Sequence, residues 1–434
     1  MSVAVEVRLW GRRIGAVAWP DGAAAASFEY DRDFIGSGIE VAPLTMPLSS
    51  RVFSFPGLNP ATFRGLPGLL SDALPDKFGN AVIDAWLARR GRLSGSFGAL
   101  ERLCYIGDRA MGALSFHPMS MPALSEGVTL QVAELVELAS EILSHRRSLT
   151  TEMPVEDPHP GLLNILRVGT SAGGARAKAL IAWNPETGAV RSGQVDSPPG
   201  FSQWLLKFDG VTDNRDKELA DPKGYGAIEY AYHHMAMRAG ITMTECRLLE
   251  EGGRRHFMTR RFERPDGGGR LHMQSLGAMA HLDFEQAGAH GYEQAFQVMR
   301  RLGLTMDDIE QQFRRMVFNL VARNQDDHVK NIAYLMDKRG RWSLSPAYDV
   351  MWAYNPEGPW TSSHQMTVNG KRDGFERGDL KAVADGASMK RGRAEAMLDE
   401  VVEAVRRWPE VAGEVGVPEA RIELIRKTHR LGWR

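Results

Sequence analysis

The sequence predicts an α+β protein, with a small mixed subdomain at the N-terminus and a mainly helical lobe at the C-terminus. Near the N-terminus, Val3–Trp10 and Ile14–Trp19 are β-type segments on either side of a Gly-Arg-Arg turn, a pattern typical of a β-hairpin. Near the C-terminus, Ile309–Val321 and Ala394–Val405 repeat their apolar residues with helical periodicity. A chain of 434 residues is long enough for two or three domains.

The composition narrows the possible partners and compartments. Because 53 lysines and arginines stand against 54 acidic residues, the net charge of −1 gives no argument for a nucleic-acid or membrane partner. Two cysteines in unrelated contexts, Cys104 and Cys246, argue against a disulfide framework and favour a reducing, cytoplasmic location. No apolar run approaches the length that spans a bilayer, so we expect no membrane segment.

Further strands and helices are predicted in the first third of the chain. Ala25–Tyr30 is predicted to be a third strand, and Phe63–Arg90 to form short helices interrupted at a Leu-Pro-Asp sequence. Tyr105–Phe116 is predicted to be a hairpin. Pro118–Pro122 is predicted to be a linker, and Leu130–Leu143 an amphipathic helix that faces the core.

A polar cluster in the C-terminal part carries the strongest functional signal. Asn331 follows Asp326 by five positions, and Asp349 comes after an apolar segment and a turn that predict a hairpin. In kinase-like phosphotransferases a catalytic-loop Asp accepts the proton of the substrate hydroxyl, while an Asn five residues later and a further Asp hold Mg²⁺. The set therefore predicts a kinase-like fold. For Asp326 alone, the alternative is a solvated acidic turn.

A glycine-rich turn from Val168 to Lys178 precedes a predicted strand at Ala179–Trp183. Because glycine has no side chain, the backbone N–H groups of this turn could approach phosphate oxygens closely. Arg176 or Lys178 could supply positive charge. It is neither a Walker loop nor a dinucleotide fingerprint, because the required Gly-Lys-Ser/Thr and glycine spacing are missing. An ordinary hairpin turn is the alternative.

Two later segments match the order of a kinase nucleotide lobe. Gln203–Phe208 places a single lysine, Lys207, on a mostly apolar strand, where a kinase needs a lysine for the α- and β-phosphates; a water-facing lysine on an edge strand is the alternative. Glu229 opens a predicted helix over Tyr225–Ala239, but spacing alone does not show whether it pairs with the lysine. Phe257–Arg264 is predicted to be a strand that leads into a linker, as an adenine-contacting hinge does; an ordinary sheet strand is the alternative.

In this order, the loop, strand lysine, hinge, catalytic loop and metal aspartate resemble the HipA family, the serine/threonine-protein kinase toxins of bacterial type II toxin–antitoxin systems. The resemblance covers nearly the whole chain. It rests on five segments, namely Leu69–Asp76, Tyr105–Leu114, Asp326–Asn331, Leu344–Val350 and Met366–Lys371.

The resemblance implies a kinase-like fold in three units. These are a HipA N-terminal subdomain over residues 1–120, a nucleotide-binding kinase lobe over residues 121–265 and a helical catalytic lobe over residues 266–434.

The resemblance also implies a protein kinase that uses ATP and Mg²⁺. Asp326 would be the general base, and Asn331 and Asp349 would bind Mg²⁺. The residues implied to contact ATP are Gly173, Gly174, Ala175, Arg176, Ala177 and Lys178 in the loop, then Lys207, then Arg260, Arg261 and Phe262 at the hinge, and finally His328, Val329, Lys330, Asn331, Tyr348 and Asp349.

The same resemblance implies regulation by autophosphorylation. The family phosphorylates a serine in the glycine-rich loop, and Ser171 occupies the matching place. Phosphate there adds roughly −1.5 to −2 charge beside the ATP phosphates, which would favour an ejected loop and a silent kinase. Arg176 and Ala177 depart from one common family pattern, in which Gln and an acidic residue stand at these places.

The implied partners are a protein substrate and an antitoxin. The substrate would be an aminoacyl-tRNA synthetase, phosphorylated on a serine so that translation stalls. The antitoxin would be a small helix-turn-helix protein of the HipB type, through which the kinase contacts operator DNA indirectly. No membrane partner is implied.

Two other functions are compatible with these residues. A small-molecule kinase of the aminoglycoside-phosphotransferase type shares the Asp and Asn spacing. A pseudokinase would support an antitoxin in repression without transferring phosphate.

Overall fold

A computed structural model of the chain describes residues 4–89, 91–92, 97–120, 130–145, 176–194, 199–211, 223–265 and 268–433. The strands are β1 Ala4–Leu9, β2 Arg12–Ala18, β3 Ser27–Tyr30, β4 Val52–Ser54, β5 Leu114–His117, β6 Lys178–Trp183, β7 Val190–Ser192, β8 Ser202–Lys207, β9 Cys246–Glu251, β10 Arg254–Arg260, β11 His272–Ser275, β12 Ala333–Met336 and β13 Trp342–Leu344. The helices are α1 Arg32–Ile35, α2 Pro60–Phe63, α3 Gly68–Ser71, α4 Lys77–Arg89, α5 Ala99–Ile106, α6 Val132–His145, α7 Tyr225–Arg238, α8 Leu276–Ala280, α9 Tyr292–Arg301, α10 Met306–Ala322, α11 Arg377–Gly386, α12 Arg393–Arg406, α13 Trp408–Glu414 and α14 Glu419–Arg426.

Within these ranges the strands form antiparallel sheets, and the predicted α+β class is confirmed. The first sheet has the order β4-β3-β2-β1-β5, the second β7-β6-β8-β10-β9 and the third β11-β12-β13. Strand β1 shows why such segments pair: Val5, Val7 and Leu9 are buried, and the residues between them face the other side.

One predicted element is wrong. The segment predicted as a hairpin at Tyr105–Phe116 contains the end of helix α5, a short 3₁₀ turn and the single strand β5. Helix α5 begins at Ala99, before Tyr105, and Glu101 accepts a hydrogen bond from the N–H of Gly98 at 2.8 Å, which closes the first turn. Leu100, Leu103 and Cys104 then bury one helical face.

Two hydrophobic cores organise the described residues. The first joins the first sheet, helices α4 to α6 and the inner side of the second sheet. The second joins helices α7 to α14 with parts of the third sheet. The proposed three-unit division of the chain stays a prediction.

Polar contacts hold the N-terminal subdomain against the C-terminal lobe. Asp72 accepts hydrogen bonds from the N–H and the hydroxyl of Ser275, at 2.7 and 2.9 Å. A Cβ at Gly68 would lie 2.3 Å from the carbonyl oxygen of Ala278, so only glycine allows this close approach. Helix α3 therefore lies beside the C-terminal lobe.

Across the described ranges, every helix is too short or too polar to cross a bilayer.

Candidate active site

A large cavity lies where the N-terminal subdomain, the second sheet and the C-terminal lobe meet. It has a volume of about 1530 Å³. Charged side chains from all three parts line it, among them Asp76, Lys178, Lys207, Asp326 and Asp349. A large concave site with convergent polar groups is the first candidate for a functional site.

At one end of the cleft, Lys207 connects two carboxylates. Its Nζ forms ion pairs with Glu229 on α7 and with Asp349. The side chains of Lys207 and Glu229 are only 7% and 2% exposed, whereas that of Asp349 keeps 27%. Arg176 Nη1 donates to the other oxygen of Glu229 at 3.2 Å. The structure therefore shows the lysine–glutamate pair that spacing alone left open.

Sheet register and close packing bring these groups together. Lys207 lies opposite Lys178 on β6 and opposite Phe257 on β10. Helix α7 packs directly on β10, because a Cβ at Gly226 would lie only 2.1 Å from the carbonyl oxygen of Arg255. About one helical turn later, Glu229 reaches the lysine.

The charges at this end hold each other in the ionised state. Burial alone would raise the pKa of Asp349, but the charge of Lys207, assisted by that of Lys178, lowers it to about 2. Burial likewise opposes the charge on Lys207, but Asp349 and then Glu229 raise the pKa of that lysine above its usual value. At neutral pH these groups carry the charges that phosphate and metal binding require.

The N-terminal subdomain supplies a further carboxylate to the cleft. Asp76 precedes α4, and its Oδ2 lies 3.2 Å from Lys178 Nζ, while its Oδ1 accepts the N–H of Gly79 at 2.6 Å. Burial raises the pKa of Asp76, although the charges of Lys178 and Lys330 oppose that rise. The N-terminal subdomain therefore reaches the residues that the sequence assigned to phosphate binding.

The predicted catalytic loop starts where α10 ends. Arg323 adopts a left-handed conformation with φ 59°, which turns the chain out of the helix. Asp326 Oδ1 accepts a hydrogen bond from Trp360 Nε1 at 2.7 Å, and the Asp326 side chain is 45% exposed in the cleft. Asn331 Nδ2 donates to the carbonyl oxygen of Asp326 at 2.8 Å. The amide oxygen of Asn331 is thereby left as the atom for a ligand.

The neighbouring Asp327 has a structural role. Its carboxylate is buried and accepts hydrogen bonds from the Tyr292 hydroxyl, from His364 Nδ1 and from the N–H of Gln365, each at 2.8 Å. These contacts attach the catalytic loop to α9 and to the segment after Trp360.

The hairpin β12–β13 returns the chain to the cleft at Asp349. This residue has φ 52°, a left-handed conformation that is uncommon for an aspartate and costs energy. Its carbonyl oxygen accepts Asn324 Nδ2 at 3.3 Å, and the Tyr348 hydroxyl donates to the carbonyl of Lys330. The strained backbone thus places a carboxylate beside both the sheet lysine and the catalytic loop.

The predicted hinge forms the opposite wall. The ring of Phe262 lies 5.8 Å from that of Tyr348, and its backbone N–H and C=O make no hydrogen bond to another described residue. Arg261, by contrast, turns its buried guanidinium to Glu263, with Nε 2.7 Å from Oε1. At this place the backbone of Phe262, more than the side chain of Arg261, is available to bind a ligand.

Most predicted site residues lie along the cleft. Those that line it are Arg176, Lys178, Lys207, Arg260, Arg261, Phe262, Asp326, His328, Lys330, Asn331, Tyr348 and Asp349. Ala177 and Val329 are instead packed into the two hydrophobic cores, because each continues an apolar inward-facing pattern; only their backbones could meet ATP. Gly173, Gly174, Ala175 and the predicted phosphorylation site Ser171 lie outside the described residues.

Two residues beside the predicted catalytic groups were not predicted from the sequence. Asp76 stands at the end of the Leu69–Asp76 segment that carried the family resemblance, so a signal was present, but it did not indicate a contact with Lys178. Trp360 had no such signal, because nothing in its neighbourhood in the sequence points to Asp326.

Comparison with known proteins agrees with this arrangement. The model of the HipA N-terminal domain matches residues 5–117, and that of the HipA-like C-terminal domain matches residues 170–408. A Sinorhizobium fredii protein, Y4mE, whose name carries only a provisional kinase assignment, is 25% identical over 276 residues. That alignment covers 58% of this chain and 60% of Y4mE, so the chain spans less than two thirds of this relative.

Among solved structures, HipA of the Shewanella oneidensis MR-1 toxin–antitoxin system, determined with HipB and its operator DNA, has a similar fold. The TM-score is 0.67 at 17% identity, covering 97% of this chain and 94% of the other. At that identity the likeness shows the kinase-like fold of the HipA protein and nothing finer.

Proposed function

The chain belongs to the HipA family, and from that premise we propose that it is a Mg²⁺- and ATP-dependent serine/threonine-protein kinase. The observation that carries the proposal is the pairing of Lys207 with Glu229 and Asp349 in the same cleft as Asp326. A strand lysine, a helix glutamate, a catalytic-loop aspartate and a second aspartate are the parts that phosphoryl transfer needs.

The nucleotide would lie between the hinge and Lys207. The unpaired backbone groups of Phe262 suit the edge of adenine, and Lys207 would hold the α- and β-phosphates. Asn331 and Asp349 offer the oxygen ligands that Mg²⁺ prefers. In the described ranges, no group of three or more His, Cys, Asp or Glu side chains is arranged to hold a metal ion. Bound Mg²⁺ supplies positive charge to the phosphates.

Asp326 would act as the general base for the acceptor. Its Oδ2 makes no hydrogen bond to another described residue, so this oxygen can accept the proton of a Ser or Thr hydroxyl. The hydroxyl oxygen then forms a bond to the γ-phosphorus, and the bond from that phosphorus to the bridging oxygen breaks. ADP leaves with the electron pair, and the products are ADP and a phosphorylated side chain.

We extend three further properties of the family to this chain as parts of the proposal. The acceptor is a serine of an aminoacyl-tRNA synthetase, Ser171 is autophosphorylated, and a HipB-type helix-turn-helix protein is the antitoxin. Support for the last comes from the Shewanella oneidensis complex, in which HipA is bound with HipB and operator DNA.

Replacing the base by its isosteric amide tests the central claim. We expect Asp326→Asn to lower phosphoryl transfer to a protein acceptor by about a hundredfold or more, because the amide cannot accept the proton. Mg²⁺-ADP affinity, measured by calorimetry, should be retained. Asp337→Asn, in the exposed turn of the β12–β13 hairpin, is the matched control and should transfer phosphate normally. Equal transfer by Asp326→Asn and wild type would contradict the proposal.

The acceptor class is decided by intact-mass measurements on the same preparation. A mass increase of one phosphate on a purified aminoacyl-tRNA synthetase, and none on aminoglycosides, supports the protein-kinase assignment. The reverse result supports the small-molecule kinase. Absence of Mg²⁺-ATP binding by wild type would leave the pseudokinase.

A further inference from the structure

An indole from the segment after Asp349 holds the candidate base. Trp360 Nε1 lies 2.7 Å from Asp326 Oδ1, well within the range of a charge-assisted hydrogen bond. Trp360 also lines the cleft together with Pro359 and Thr361. The contact is therefore made inside the proposed active site.

The second carboxylate oxygen of Asp326, Oδ2, makes no hydrogen bond to another described residue and is available to the proposed acceptor. His328 Nε2 is 3.9 Å from Oδ1, which is too far for a hydrogen bond, and Asn331 contacts only the backbone carbonyl of Asp326. Within the described ranges, Trp360 is thus the one residue that donates to this carboxylate. Because the Asp326 side chain is 45% exposed, it has room for other rotamers when the indole is removed.

Buried hydrogen bonds from Gln365 fix the position of Trp360. Gln365 Nε2 donates to the carbonyl of Trp360 and lies 3.3 Å from that of Gln325, so one buried amide joins the indole segment to the catalytic loop. The N–H of Gln365 also donates to Asp327, the structural neighbour of the base. The indole and the base are therefore held by the same small network.

From this geometry we infer that Trp360 is a positioning residue for phosphoryl transfer: it fixes Oδ1 of Asp326 so that Oδ2 meets the acceptor hydroxyl. The inference rests on the proposed kinase function. An indole N–H is a donor only and stays protonated, so it orients the carboxylate without competing for the acceptor's proton. A base that is one rotamer away from its acceptor loses most of its effect.

The sharpest test replaces the indole N–H by sulfur. Benzothienylalanine, introduced at position 360 in the full chain, keeps the ring shape and loses the donor; Trp360→Phe is the genetically simpler variant. We expect kcat for transfer to a protein acceptor to fall about tenfold or more, with KM for ATP and Mg²⁺-ADP affinity unchanged. The same analogue at Trp433, whose indole donates to the carbonyl of Arg430, controls for incorporation and should be active.

A second measurement separates positioning from a general structural effect. In an Asp326→Asn background, the change at Trp360 should lower the residual transfer no further, because both changes act on one base. An unchanged kcat would overturn the inference. So would a lower kcat accompanied by equally weaker ADP binding, or a double variant in which the effects of the changes at Trp360 and Asp326 on kcat are fully additive. If wild type itself transfers no phosphate but binds Mg²⁺-ATP, the proposed function fails first, and the role of Trp360 fails with it.

Discussion

The two ends of the cleft are stabilised in different ways. At the end of the cleft that we propose binds phosphate (the phosphate end), Lys207 and Glu229 are nearly fully buried, and each charge has a partner of opposite sign. At the end that we propose binds the acceptor (the acceptor end), Asp326 is half exposed and is held by one indole. Burial at the first end assembles these charged groups without a nucleotide, whereas exposure at the second leaves a carboxylate oxygen open to the acceptor that we propose.

The difference also predicts which side-chain contacts would change when a nucleotide binds. Lys207 is paired with Asp349, so in the proposed function the two would exchange partners: Lys207 would turn to the phosphates and Asp349 would hold the cation. Because Asp326 pairs with a neutral donor, no such exchange is needed at the acceptor end.

The largest difference between the two ends should appear when the buried lysine is removed. We expect Lys207→Met to lower the free energy of unfolding by about 3 kcal/mol, because it leaves two carboxylates without their common cation. Mg²⁺-ADP binding should be lost as well. Urea denaturation and calorimetry measure the two effects.

An exposed pair of the same residue types provides the control. Lys381 pairs with Asp385 at the surface, where the side chains are 58% and 60% exposed, so Lys381→Met should leave stability unchanged. Equal stability of Lys207→Met and wild type would show that the phosphate end is not preassembled.

A smaller effect is expected from pH at the same end. The pKa of Asp349 is about 2 in the folded chain, below its unfolded value of about 3.9, so its charged form stabilises the fold. The contribution, about 2 kcal/mol, is fully present above the unfolded pKa and is lost as the pH falls through about 2.

Comparison of wild type with Asp349→Asn isolates this contribution. The difference in their unfolding free energies should be constant from about pH 7 to pH 5 and should decline in more acidic solution. A difference that does not vary with pH down to about pH 2 would mean that Lys207 leaves the pKa of Asp349 unshifted.

Sequence patterns predicted the elements that depend on local order. Apolar periodicity gave helices α7, α10 and α12, and the turn between Met336 and Trp342 gave the β12–β13 hairpin, because local spacing decides which face is buried. Strand β9 and helix α5 were missed. Strand β9 has three charged residues in six, and helix α5 begins before Tyr105, where the segment predicted as a hairpin starts.

Contacts between segments that are distant along the chain could not be predicted from local sequence patterns. Whether Glu229 meets Lys207 depends on how α7 packs on β10, and the hydrogen bond from Trp360 to Asp326 depends on the buried amide of Gln365. Contacts between side chains that are far apart in the sequence produce no periodic pattern in it. The residues with catalytic or binding chemistry could therefore be predicted, but their contact partners could not.

The smallest expected effect concerns Asp76, the carboxylate that the N-terminal subdomain places beside Lys178. We expect Asp76→Asn to raise KM for ATP a few-fold with kcat unchanged, because Lys178, which lies opposite Lys207 in the sheet, loses the carboxylate that orients it. Burial raises the pKa of Asp76, so the Asp76–Lys178 ion pair is less favourable than the ion pairs of Lys207. Asp76→Asn should therefore lower the free energy of unfolding by only about 1 kcal/mol. Asp108→Asn, in the same subdomain but away from the cleft, is the control. A KM for ATP equal to that of wild type would mean that the N-terminal subdomain only covers the nucleotide site, and that the C-terminal two thirds of the chain set the affinity alone.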